Sequence, residues 1–182
     1  MVRVSLVIAC IFSGCVKAPP HVRATDVAMK RYTEQVTEEK NLKMLGCGGF
    51  FEQEHVRAFY ADFESDKNLN KEEAKQLLAD LVNMCLEQLN HDGTLVQFLQ
   101  KEALDISDIS ISVGFVDHNR KPYSELSQIH IFENKIHYST YDPKLQTYIC
   151  TQTEILEVEQ SVPEDNHVDS AEDLDIPEDL KK

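Results

Sequence analysis

The chain has 182 residues, 42% of them apolar and 27% charged, a balance that fits one folded domain with tails rather than two sizeable domains. No run reaches the ~18–20 apolar residues that a membrane-spanning helix needs. Thirty-two acidic residues against eighteen basic ones give a net charge of −14, a field that repels phosphate backbones, so nucleic acid is not an expected partner.

The chain opens Met1-Val2-Arg3. Val4 to Ile11 is almost wholly apolar, and Phe12-Ser13-Gly14-Cys15 follows. One cation, a short apolar run and small residues form a secretory signal pattern. Val16-Lys17-Ala18 is a poor copy of an Ala-x-Ala cleavage site, because a lysine stands inside it. Ser13-Gly14-Cys15 fits a different rule and resembles the lipobox of bacterial lipoproteins, although Phe12 departs from the aliphatic residue usual there. The resemblance implies cleavage between Gly14 and Cys15, with acyl chains joined to the Cys15 thiol and often to the new amino group. Two or three chains then hold the protein at a membrane, since each buried methylene contributes ~0.8 kcal/mol. Val16, in place of aspartate, implies the outer membrane where the source has one. Cys10 leaves too short an apolar run before it for lipidation and reads as part of the discarded peptide. The alternative is a buried N-terminal strand or helix that happens to contain two cysteines.

Residues 15–24 read as the lipidated cysteine and a stiff tether, with Pro19-Pro20 favouring extended backbone. Thr25-Asp26 is a plausible helix cap, and Ala28, Tyr32 and Val36 give a thin apolar face, so the pattern predicts a peripheral helix to about residue 44. Gly46-Cys47-Gly48-Gly49 would end it. A short helix or turn and then a strand over 56–64 come next, from Phe59, Ala61 and Phe63. Residues 71–90 carry the clearest stripe: Ala74, Leu77, Leu78, Leu81, Val82, Cys85 and Leu89. Asn70 and Glu73 supply a capping-box pattern, and Asn90-His91-Asp92-Gly93 a stop. Thr94 opens a shorter helix with Leu95, Phe98 and Leu99 inward.

After Asp105 the period changes to two. Ile109, Ile111, Val113 and Phe115 alternate with Ser110, Ser112 and Gly114, which predicts a strand with one buried face. Glu133-Asn134 between two further strands predicts a hairpin. Its register pairs Ile131 with Ile136 and Ile129 with Tyr138 on one side, and His130 with His137 on the other. A turn at Tyr141-Asp142-Pro143-Lys144 leads to a last strand near 145–152. The expected architecture is α+β: two or three helices on an antiparallel β-meander of four to five strands, over residues 25–156. Residues 157–182 hold ten acids against Lys181 and Lys182 and are expected to be a disordered acidic tail.

From residue 56 to about 150, the runs FESDKNLNKEEAKQLL, ISISVGF and KIHYSTYDP resemble proteins of chlamydia-type bacteria for which no activity is established. That resemblance implies a bacterial source and carries no functional residue across.

Chemistry is sparse in the pattern. After removal of a signal peptide, and with lipid on Cys15, Cys47, Cys85 and Cys150 remain; an odd number allows one disulfide and a thiol, or three thiols. No Cys-x-x-Cys spacing suggests zinc or a dithiol. His130 and His137 could bring two imidazoles to one ion, but a third ligand is missing, and the plainer reading is two half-exposed residues on a sheet. Asp66, Asn68 and Asn70 alternate like calcium ligands, yet Lys71 and Leu77 replace the glycine and glutamate that such a loop needs. Cys47 in its glycine-rich turn, with His55 beyond, is a formal nucleophile–base pair; a helix stop with an incidental thiol is the plainer explanation. No cofactor fingerprint occurs. The functional expectation is therefore a membrane-anchored extracytoplasmic lipoprotein acting as a binding or envelope-associated module, touching the membrane through Cys15 and open to a protein partner. Two alternatives stand beside it: a small extracytoplasmic hydrolase using Cys47 or His130/His137, and a cytosolic acidic chaperone-like protein.

Overall fold

A computed structural model describes residues 17–156. The signal-like segment with Gly14 and Cys15, and the acidic segment 157–182, lie outside the described residues. The order of elements is α1 (Pro20–Lys40), β1 (Lys43–Glu52), β2 (His55–Ser65), α2 (Lys71–Asn90), two single-turn 3-10 helices at Val96–Phe98 and Ile106–Asp108, then β3 (Ile109–Phe115), β4 (Gln128–Phe132), β5 (Lys135–Asp142) and β6 (Thr147–Ile155). The class is α+β, with two α-helices on a six-stranded sheet of spatial order β1-β2-β3-β4-β5-β6.

Three expectations change. The sheet has six strands, and it is mixed rather than a meander, because β2 and β3 run parallel, Phe59 to Ser65 beside Ile109 to Phe115. Parallel neighbours need a long crossover, and α2 supplies it. Next, α1 begins at Pro20 inside the segment read as a tether. Proline is tolerated at the first helical position, where its missing N–H has no acceptor to lose. The helix ends at Asn41, which takes the left-handed conformation at φ 55°. The expected cap, Thr25, instead lies buried in mid-helix.

The third change concerns Gly46-Cys47-Gly48-Gly49, which forms the middle of β1 rather than a helix stop. None of these glycines has positive φ, so their use is space. A Cβ on Gly49 would lie 2.9 Å from Cγ2 of Thr25 on α1, and one on Gly48 would lie 2.9 Å from the Tyr60 ring on β2. Glycine thus lets α1 close on the strand from one side and Tyr60 lie over it from the other.

That close approach makes α1 central rather than peripheral. Its buried stripe is His21, Ala24, Thr25, Ala28, Met29, Tyr32, Thr33 and Val36, two residues wide over most of its turns. Two of its polar members have partners: the Thr33 hydroxyl donates to the Met29 carbonyl at 2.9 Å, and the Tyr32 hydroxyl to the Leu81 carbonyl of α2 at 3.0 Å. Tyr32 also meets Phe63 edge-on at 6.1 Å. α2 follows its predicted stripe and carries the full capping box, with Asn70 accepting from the Glu73 N–H and Glu73 accepting from the Asn70 N–H. One core results, with Phe59, Phe63, Ile111, Val113, Phe115, Ile129, Ile131, Ile136 and Tyr138 from the sheet beneath the two helices.

Replacing Gly49 with valine should cost about 1–3 kcal/mol, because a branched side chain must displace α1. A methyl group on Gly46 would meet nothing within 4 Å, so Gly46→Ala should stay within ~0.5 kcal/mol of the parent. Urea unfolding midpoints of the two variants check the contrast.

Candidate functional site

Both helices pack on one face of the sheet. The opposite face carries the alternate residues of each strand, and register aligns them into lateral rows. One row runs Asp62, Ser112, His130, His137, Thr153: Asp62 is opposite Ser112, Ser112 opposite His130, His130 opposite His137, and His137 opposite Thr153. Five hydrogen-bonding side chains thus cross β2 to β6 in sequence, with neighbouring strands about 4.8 Å apart.

The hairpin forms as its residues predict. Glu133 and Asn134 take φ 50° and 63°, the doubly left-handed turn whose twist suits a two-residue loop. His130 and His137 stack with ring centroids 4.6 Å apart and planes 14° from parallel. An imidazole binds a metal in its own ring plane, so stacked rings do not direct two lone pairs at one ion. Glu133 sits in the turn, away from the pair. Among the described residues, no group of three or more His, Cys, Asp or Glu is placed to hold a metal ion.

Burial is the main cause that holds His130 below the ordinary imidazole range. The neighbouring His137 adds to it, and Asp62 opposes it. The Ser112 hydroxyl accepts from the Gln128 amide at 2.8 Å, which fixes the middle of the row.

At the β6 end lies a contact that the sequence does not reveal. The ladder passes from Tyr138 opposite Gln152 to Ser139 opposite Cys150, so Thr151 is left over as a bulge. The bulge brings Cys150 to the same side as Thr153. Cys150 is exposed and free, with its Sγ 3.8 Å from His137 Nδ1 and 3.6 Å from Thr153 Oγ1. Thr153 Oγ1 itself lies 3.1 Å from the same Nδ1. Three-residue spacing in a strand normally separates faces, so nothing short of the bulge reveals this grouping.

The other candidates dissolve. Cys47 is half-buried beneath α1, and burial pushes its thiol up, with the Asp26 charge adding to the effect and the Thr33 side chain partly offsetting it. It is no activated nucleophile. Cys47 pairs with Ala61, while His55 pairs with Glu52, five positions further along β1 and so about 17 Å away. Cys85 is fully buried, and its thiol is raised for the same reason. Cys47, Cys85 and Cys150 are all free thiols. Asn70 of the calcium-like series is committed to capping α2.

No family model, curated protein or solved structure matches the chain. Among the described residues, no helix is long and apolar enough to cross a membrane.

Because His130 has a depressed folded-state pKa, the unfolded chain takes up the proton first. Stability is therefore full above the ordinary imidazole range and falls as the pH drops through it toward the folded-state value. Proton NMR should place the His130 midpoint below that of a free imidazole. In His137→Asn the midpoint should move up but stay depressed, because burial remains.

Proposed function

We propose that the protein is a lipid-anchored extracytoplasmic binding module, held at a membrane through Cys15, with the sheet face away from α1 and α2 as its binding surface. The observation that carries this reading is the register-aligned row Asp62, Ser112, His130, His137 and Thr153 on the face away from the helices. The row contains no lysine or arginine and ends in a carboxylate. It suits an extended ligand that is uncharged or cationic and offers both donors and acceptors, because a neutral imidazole can do either. The anchor is supported by Ser13-Gly14-Cys15 behind an apolar run, with the folded body starting five residues later at Pro20.

A thiol hydrolase is the second reading, favoured by the 3.8 Å approach of Cys150 to His137. It requires ester or thioester turnover that Cys150→Ser abolishes; the binding reading requires none.

Palmitate labelling of the expressed full-length chain tests the anchor. Label should enter the parent and be lost in Cys15→Ser, and the mature N-terminal peptide should start at Cys15 and carry acyl mass. A mature protein still beginning at Met1 without acyl groups would refute the anchored reading.

A further inference from the structure

We infer that one end of the domain, marked by Phe50, Phe51, Phe132 and Ile155, rests against the lipid surface, so that the polar row stands just above the bilayer. The inference rests on the anchored reading above and adds an orientation to it.

Strand register defines that end. The β1–β2 turn follows Glu52, β3 starts beside Phe59, the β4–β5 turn is at Glu133-Asn134, and Lys135 pairs with Ile155. All four features lie at the same end of the sheet. The start of α1 is there too, since the His21 ring meets Phe51 at 5.3 Å.

This end exposes large apolar side chains across the width of the sheet: Phe50 at 56%, Phe51 at 40%, Phe132 at 53% and Ile155 at 68%. Phe50 and Phe51 lie on β1, Phe132 on β4 and Ile155 on β6, so the band spans five strand spacings, about 24 Å. On β4 and β6 the hydrogen-bonding row begins two residues further up the strand, about 7 Å from the band.

Exposure alone does not choose this end, because Met44, Leu45 and Leu145 are exposed at the other. The length of the tether chooses it. Cys15 and Pro20 are five Cα steps apart, a reach of at most about 18 Å when fully extended. Acyl chains on Cys15 therefore keep the start of α1 close to the headgroups, and the phenylalanine end is the end that α1 enters. Aromatic and aliphatic side chains gain by entering that interface. Turning the far end toward the membrane would require the tether to run the length of the sheet: β2 alone is eleven residues, about 36 Å.

The chain contains no tryptophan, so a single introduced one reports depth without background. The full-length acylated protein would be prepared as Phe50→Trp and as Leu145→Trp, both exposed positions, and reconstituted in phosphatidylcholine vesicles with and without brominated acyl chains. Acyl mass is confirmed first. The expected result is a blue-shifted emission quenched about twofold by bromolipid for Phe50→Trp, and no quenching for Leu145→Trp. Acylated protein with Phe50→Trp unquenched, or with both positions quenched alike, overturns the orientation and leaves the anchor standing. Protein without acyl mass overturns the anchor and the orientation with it.

Discussion

The parallel pairing of β2 with β3 governs this molecule. Two parallel neighbours cannot be joined by a tight turn, so the chain must leave the sheet after Ser65, cross it as α2 and return at Ile109. The crossover covers one face. α1 covers the same face, and the Tyr32 hydroxyl, donating to the Leu81 carbonyl, joins the two helices above Phe63. With both helices on one side, the other side has no helical cover among the described residues. Much of that face carries side chains tolerable in water: Ser110, Ser112, Gln128, His130 and His137.

How far this is legible in the sequence depends on whether the information is local. α2 is readable throughout, because its stripe, its cap and its stop all lie within twenty-five residues. The β4–β5 hairpin is readable to its register, because a two-residue turn leaves one pairing that buries Ile129, Ile131, Ile136 and Tyr138 together. The parallel pair is not readable. Alternation says which face of a strand is buried and nothing about its neighbour or direction. β1 is hidden for a different reason. Its glycines lower strand propensity, and their benefit, the approach of α1 and Tyr60, is visible only in three dimensions. α1 is undervalued by its pattern because Thr25, Thr33 and His21 count as polar there, although all three are buried, Thr33 with a bond to the helix's own carbonyl.

The candidate surface divides in the same way. The His130–His137 contact follows from one hairpin and is legible. Asp62 and Ser112 join it only through the parallel pairing, from strands separated by α2, and Cys150 joins only through the bulge at Thr151. Cys47 stands out in the sequence for its glycine-rich surroundings, yet those glycines are there because α1 and Tyr60 need the room. Proximity in sequence to unusual residues is a poor guide here; position on a shared ladder is a good one.

The exposed row owes its order to the hidden face. A strand has period two, so any slip by a single residue that misplaced His130 would also carry Ile129 and Ile131 into water and His130 into the core. Losing two fully buried isoleucines costs far more than rearranging a few surface hydrogen bonds. The polar residues therefore need not specify their own alignment. The isoleucines, valines and phenylalanines beneath the helices fix the register of β2, β3, β4 and β5, and that register fixes the lateral spacing of Asp62, Ser112, His130 and His137. Substitutions within the row can then alter what the surface recognises while the scaffold that spaces it stays the same.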